Sequence, residues 1–557
     1  LLFGPIALVA TEAPLTMAPS ANGQTVGRRL PVESAFTRVE DARHRLPRLF
    51  GRRDLVVLGL GVMIGSGIFS LSGKQAANVA GPAVIVSFLI AAVVCVLAAA
   101  CYAELSSTIP VSGSAYTFSY VTFGEMWAWL VGWALVLELV TAAAIVARVW
   151  SAYFLATLDG FGVSLPTGVA QFFGPDAKVN LVAPLLLLVL TALIVTGTKL
   201  SSRVLTVVVM AKVAVILLVV IVGATHINFD NYRPFVPDAR PAPATASPTL
   251  LSWILDSSFG SFGLMGIFTA ASSIVFAFIG FDLIATASED ARSPRKTVPQ
   301  GMLLGVGAVT ILYVAMAVVL VGMRPSSQLG GAAPVSEAMS AVGEGWAANV
   351  VNLGALLALM TVIMVVLIAQ SRVLFNMGRD GLLPKSLGRV SRVYSSPARA
   401  ATAAGAAAIA LTLYPKVLDL EELLVIGALF CFAFCAVGVL TLRRTEPNLE
   451  RGFRVPMVPL IPLLSLAATL WLMLNLKTST WTKFAIWMVV GLAIYGLYGR
   501  WHSRLANEDS WDFDIGDTDP GTGGLQAIRS EHDTGELRAV RTPPPTKQST
   551  RGKHMRN

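Results

Sequence analysis

Four glycines interrupt an apolar stretch near the start of the chain, in Gly59-Leu-Gly-Val-Met-Ile-Gly-Ser-Gly-Ile-Phe69. Inside a helix each costs about 1 kcal/mol relative to alanine, and the Ser66 hydroxyl competes for backbone bonds. The spacing predicts a break between Ile64 and Ile68. The chemistry of such a break is anion binding, because freed N–H groups become donors and a half-helix end carries partial charge. Transporters with broken helices hold a substrate carboxylate this way. Gly61 and Gly65 also fit a seam where two membrane helices approach closely. A dinucleotide-binding loop is disfavoured, since neither the glycine spacing nor a strand–turn–helix setting is present.

Three ionisable residues stand inside apolar runs: Glu138, Lys212 and Asp282. A charge at the centre of a membrane helix costs about 2.5–3.5 kcal/mol on insertion scales, so function is the default reading. Lys212 reads either as a buried cation paired with Glu138 or Asp282, or as a proton carrier that loses and regains its charge on desolvation. In the second role it couples proton entry to substrate binding. No histidine competes for that role, since His44, His226, His502, His532 and His554 all lie in tails or loops. Glu138 and Asp282 read as holders of a cationic substrate group or as gating residues. Glu104, at the end of an apolar run, reads as a helix cap or a partner of loop charges. Cys95, Cys101, Cys431 and Cys435 all sit in apolar runs and read as small buried hydrophobes, with neither redox nor zinc chemistry.

The elements that must position these residues are membrane helices. The chain has 557 residues, 55% hydrophobic and 13% charged, with a mean hydropathy of +0.68, which excludes an ordinary soluble protein. Apolar runs of about 20 residues occur at 54–72, 83–103, 126–155, 181–198, 203–223, 269–288, 301–323, 346–371, 398–413, 421–442, 457–475 and 484–500. The expectation is an all-α polytopic protein with twelve transmembrane helices. Between the runs, one side carries Lys199, Arg203, Arg292, Arg295, Lys296, Arg372, Arg379, Lys385, Arg389, Arg392, Arg399, Arg443, Arg444, Arg451 and Arg454. The other carries only Lys74, Lys178, Arg233, Arg240, Arg324, Lys416, Lys477 and Lys483. The positive-inside bias then places both termini in the cytoplasm. It also accounts for much of the net charge of +9 without nucleic acid.

A second interruption stands in Phe276-Ala-Phe-Ile-Gly-Phe-Asp-Leu-Ile-Ala285, where Gly280 and Asp282 fall at membrane depth. Paired interrupted spans in two halves are the sequence pointer to a transporter's binding site. One opens the first five spans and the other opens the next five, so the second copy enters the membrane upside down. The expected organisation is a tail (1–53) and a transporter domain (54–500) followed by a disordered cytoplasmic tail (501–557). The transporter domain divides into a first repeat (54–223), an inverted second repeat (269–442) and two further helices (457–500). The segment before Met17 is left out of the fold; its apolar run lacks the basic flank of a signal peptide.

Four motifs resemble the amino acid–polyamine–organocation superfamily, and within it the bacterial cationic amino acid transporters. They are Gly61-Val-Met-Ile-Gly-Ser-Gly-Ile-Phe69; Glu104 with Pro110-Val-Ser-Gly-Ser-Ala-Tyr116; Phe276-Ala-Phe-Ile-Gly-Phe-Asp282 followed by Ser293-Pro-Arg-Lys296; and Gly378-Arg-Asp-Gly-Leu-Leu-Pro384. The resemblance implies a five-plus-five inverted repeat, LeuT-like, with helices 1 and 6 broken and alternating access. By position it implies that Ile64, Gly65, Ser66 and Gly67 face the substrate carboxylate. Phe276, Ala277 and Ile279 line the amino and side-chain pocket, with Phe276 as the gate and Asp282 at the inner edge. Lys212 matches a lysine that stands where sodium-coupled relatives hold sodium, which favours proton coupling. The expected function is a plasma-membrane permease for cationic amino acids such as arginine, lysine or ornithine. A neutral amino acid or polyamine permease, or a sensor without net transport, is the alternative. No cofactor is expected, and no enzyme, since neither H-E-x-x-H nor G-x-S-x-G occurs.

Overall fold

The first apolar run divides at its glycines. In the computed structural model, helix α1 (Arg52–Met63) is capped by Asp54, which accepts from the Gly51 N–H at 2.8 Å. It stops at Ile64, whose ψ of 91° is extended, and a π-helical turn, Gly67–Leu71, carries the chain on. The structure describes residues 29–30, 50–111, 113–162, 180–197, 202–241, 247–256, 260–288, 291–391, 394 and 396–505. Most of both expected tails lies outside the described residues.

After α1 come α2 (Val84–Thr108), α3 (Ala115–Thr122), α4 (Glu125–Gly160), α5 (Val182–Val195) and α6 (Ser202–Ala224). Helix α7 (Gly263–Phe278) ends at Ile279, and Gly280 follows at φ +131°, a conformation that only glycine adopts readily. The chain resumes as one turn, α8 (Leu283–Thr286). Then follow α9 (Pro294–Met323), α10 (Pro334–Ala341), α11 (Gly345–Arg379), α12 (Ala398–Thr412), α13 (Glu421–Thr445), α14 (Leu460–Leu474) and α15 (Thr478–Ile494).

Among the described residues there is no strand beyond isolated bridges such as Phe50 with Ala291. Among the described residues, eight helical segments are long and apolar enough to cross a membrane. Each apolar run read from the sequence holds a helix, but α1, α5, α12 and α14 are shorter than that criterion. The packed chain also continues past the expected boundary at 500, since Ser503 is fully buried.

The two longest helices, α4 and α11, pack along each other, and α9 packs on both α1 and α2. Helices α2, α4, α9 and α11 frame the two breaks. Where α2 ends, the buried Glu104 carboxylate accepts from Arg443 Nε at 2.7 Å and Nη2 at 2.6 Å, and from the Val455 N–H at 2.7 Å. Glu104 therefore ties α2 to the end of α13 and to the segment before α14.

Candidate functional site

The two breaks are in contact, and glycine makes that contact possible. A Cβ on Gly67 would stand 2.4 Å from the Cα of Ala277, and one on Gly280 would stand 2.6 Å from Val62 Cγ1. Gly61 and Gly65 do not form one packing seam. Gly61 faces Val209 of α6 at 3.0 Å, whereas Gly65 faces Val362 of α11 at 3.1 Å.

A broken helix leaves carbonyls without intrahelical partners, and side chains from three other helices meet them here. Lys212 of α6, 1% exposed, donates to Gly61 O at 2.7 Å and to Ile64 O at 3.4 Å. Tyr313 of α9 lies with its hydroxyl 2.5 Å from Met63 O and 3.1 Å from Ala277 O. Tyr153 of α4 donates to Phe69 O at 2.7 Å. The ion-pair reading of Lys212 is therefore corrected: its ammonium sits on backbone carbonyls, not on Glu138 or Asp282. The reason is geometric, since the end of α1 presents carbonyl oxygens directly to it.

Asp282 turns one carboxylate oxygen back on its own break, accepting from the Gly280 N–H at 2.9 Å. Its other oxygen, and both carboxylate oxygens of the fully buried Glu138, have no hydrogen-bond partner among the described residues. Ser114, just before α3, donates to Asp282 O at 3.2 Å and so attaches α3 to the second break.

Between the breaks lies a cavity of about 20 Å³, space for the centre of about one water molecule. It is lined by Val62, Met63, Gly65, Ser66 and Gly67 from the first break and by Phe276, Ile279 and Leu283 from the second. Leu139, Ala142 and Val146 of α4 and Val362 and Val366 of α11 complete it. The buried Ser66 hydroxyl has no hydrogen-bond partner among the described residues. Of the residues expected at the site, Gly65, Ser66, Gly67, Phe276 and Ile279 are brought together on this cavity. Ile64, Ala277, Glu138 and Asp282 are buried but off its lining, and Lys212 stands behind the first break. Sequence reasoning missed Tyr153, Tyr313 and the walls from α4 and α11. The available signal was a hydroxyl-bearing aromatic inside an apolar run, as in Ile311-Leu-Tyr-Val314.

Comparison with known proteins places this arrangement. A family model described as "Amino acid permease" matches residues 50–495. The chain is 38% identical to the methylthioribose transporter of Bacillus subtilis (strain 168), over 86% of this chain and 98% of that protein. It is also 38% identical to the branched-chain amino acid permease BcaP of the same organism, over 83% of this chain and 95% of that protein. Cationic amino acid transporter 4, vacuolar, of Arabidopsis thaliana is 34% identical over 76% of this chain and 67% of its own length.

Proposed function

We propose that this chain, which belongs to the amino acid permease family of the amino acid–polyamine–organocation superfamily, carries an amino acid across the cell membrane by moving its two broken helices in turn. The relatives are transporters and permeases, not enzymes. The observation that carries the proposal is two broken helices meeting at a buried cavity on which Ser66 keeps an unpaired hydroxyl. Freed N–H groups of Gly65, Ser66 and Gly67 take the carboxylate, and end carbonyls of the breaks take the ammonium. The cavity is far smaller than any amino acid, so loading requires the breaks to move apart. In this reading α1–α6 and α7–α13 are the inverted halves, both termini are cytoplasmic, and Phe276 closes over the substrate.

For the side chain, the lining supports an apolar substrate over a cationic one. Leu139, Val146, Phe276, Ile279 and Val362 surround the space, while Glu138 and Asp282 lie off it. Branched-chain amino acids are the favoured class. The cationic reading keeps one specific support, the unpaired carboxylate of Glu138, which an arginine or lysine head group would reach if the pocket opened toward it.

Coupling to protons is assigned to Lys212. Charge-assisted hydrogen bonds are roughly twice as strong as neutral ones, so a charged Lys212 holds the end of α1 firmly and a neutral one holds it less. The test is uptake of labelled leucine, arginine and methylthioribose into liposomes bearing the purified protein, with and without an inward proton gradient. Gradient-driven leucine uptake, with arginine failing to compete, is the expected result. Arginine uptake reverses the substrate assignment, methylthioribose uptake alone removes the amino acid, and uptake indifferent to the gradient removes the role of Lys212.

A further inference from the structure

Tyr313 stands where the two breaks converge, and it brings one proton to two acceptors. Met63 is the last residue of α1 and Ala277 the last but one of α7. In an unbroken helix their carbonyls would accept from N–H groups four residues on, but the breaks remove those donors. The Tyr313 hydroxyl is the side-chain donor to both, at 2.5 and 3.1 Å. A phenol has one O–H. At any moment it serves one carbonyl well and leaves the other short of a donor.

The ring cannot swing away from this position. Tyr313 is fully buried, and its ring meets Phe88 of α2 edge-on at 6.0 Å and Phe278 of α7 at 5.4 Å. Such contacts fix ring orientation. A fixed hydroxyl between two carbonyls that belong to different moving segments links the segments, since displacement of either changes which carbonyl accepts the O–H. At the same end of α1, Lys212 holds Gly61 O and Ile64 O. The carbonyls on either side of Met63 in sequence are thus in the grip of the lysine, and Met63 O itself is in the grip of Tyr313.

We propose that Tyr313 is a positioning residue that ties the two breaks together, turning its one O–H between Met63 O and Ala277 O so that a change at the Lys212-held break is felt at the other. This rests on the reading that both breaks move during transport. Tyr313 touches no substrate in this account; it sets the relation between the segments that do.

The experiment uses the full chain in liposomes and the amino acid that the unaltered protein accumulates best among leucine, alanine and arginine. Tyr313→Phe removes the hydroxyl and keeps the ring. The expected result is half-saturation and exchange close to unaltered, with gradient-driven accumulation down by about fivefold or more, the range of an ordinary coupling between sites. Added to Lys212→Ala, it lowers accumulation no further, because both act through one link. Unaltered accumulation in Tyr313→Phe, or losses in the two variants that multiply, overturns the proposal.

A second measurement stands even if Tyr313→Phe does not fold or if no proton-driven accumulation exists at all. Amide hydrogen exchange at residues 279–282 is followed in Lys212→Ala, which removes the ammonium that hydrogen-bonds the first break. Faster exchange at the second break supports the tie, and unchanged exchange there overturns it. Absence of accumulation in the unaltered protein removes the coupling reading of Lys212 without touching this result.

Discussion

At the scale of the residue, the site is built from what glycine omits and from what a few polar tips supply. Gly67 and Gly65 differ in what a methyl group would meet, and that difference is a prediction. On Gly67 it would strike the backbone of Ala277 at 2.4 Å, and backbone cannot step aside. On Gly65 it would press on Val362 Cγ2 at 3.1 Å, a side chain able to shift by a few tenths of an ångström. Overpacking costs roughly 1–3 kcal/mol, so Gly67→Ala is expected to lose uptake by about 100-fold, Gly65→Ala by less than about tenfold. Initial rates of leucine uptake at fixed protein density check the order; equal losses would mean that the crossing of the breaks does not set the fit. The glycines were legible in the sequence because they are costly in a helix, and Lys212 because it is costly in a membrane. Its partners were not legible. A carbonyl has no sequence signature, so a search among residue types offered Glu138 and Asp282 and passed over Gly61 O and Ile64 O. Tyr313 and Tyr153 carried only the weak signal of a hydroxyl-bearing aromatic in an apolar run, which reads first as packing.

At the scale of the element, hydropathy located a helix in each of the twelve apolar runs, but neither α3 and α10 between them nor the contacts that lock the helices. Phe123–Phe434, Trp129–Trp133 and Trp133–Trp487 all join helices or neighbouring turns through rings that the sequence shows only as apolar letters. Between Trp133 and Trp487 the lock is reciprocal: each indole N–H donates to the other residue's carbonyl at 2.9 Å, seating α15 on α4. Glu104 performs the corresponding task for α2 and α13, and here a polar residue makes the element argument testable. Its carboxylate, 2% exposed, takes two bonds from Arg443 and one from the Val455 N–H, with Arg451 Nε at 3.5 Å. Glu104→Gln keeps the size but removes the charge and one acceptor oxygen, leaving a guanidinium without its counter-ion. The expected loss is about 3 kcal/mol, the low end for breaking a buried pair. Thermal unfolding in detergent reads it, with Glu104→Asp as the comparison that keeps the charge. If Gln and Asp are equally tolerated, the charge is not what holds α2 to α13.

At the scale of the whole molecule, the end of the described chain closes on elements that neighbour the second break. Ser503, fully buried, donates to Glu125 at the start of α4, and Tyr495 Oη donates to the other Glu125 oxygen at 3.0 Å. The Arg504 N–H donates to Asp380 O at 3.1 Å, and Asp380 in turn accepts from Tyr116 of α3 at 2.8 Å. Gly381, at φ +79°, lets His502 O approach to 2.2 Å of where a Cβ would stand. Through Ser114 the same α3 is bonded to Asp282 O at the second break. Residues 495–505 therefore act as a strap across α3, α4 and the end of α11. None of this was readable from Trp501-His-Ser-Arg504, which looks like the start of a polar tail. Shortening the chain to end at Leu505 leaves the strap whole and is expected to leave uptake within about twofold, since every contact just named survives. Ending it at Ile494 removes two donors from a buried carboxylate, each worth about 1.5–3 kcal/mol, and the unfolding midpoint is expected to fall by at least about 5 °C. The gating consequence is separate and is read by a cysteine placed at Ser66. With the strap gone, α3 keeps its bond to the second break but loses the brace behind it, so a water-soluble thiol reagent should label position 66 several times faster from the strap's side of the membrane. A lower midpoint with unchanged labelling would make the strap a brace for the fold and leave the breaks independent of it.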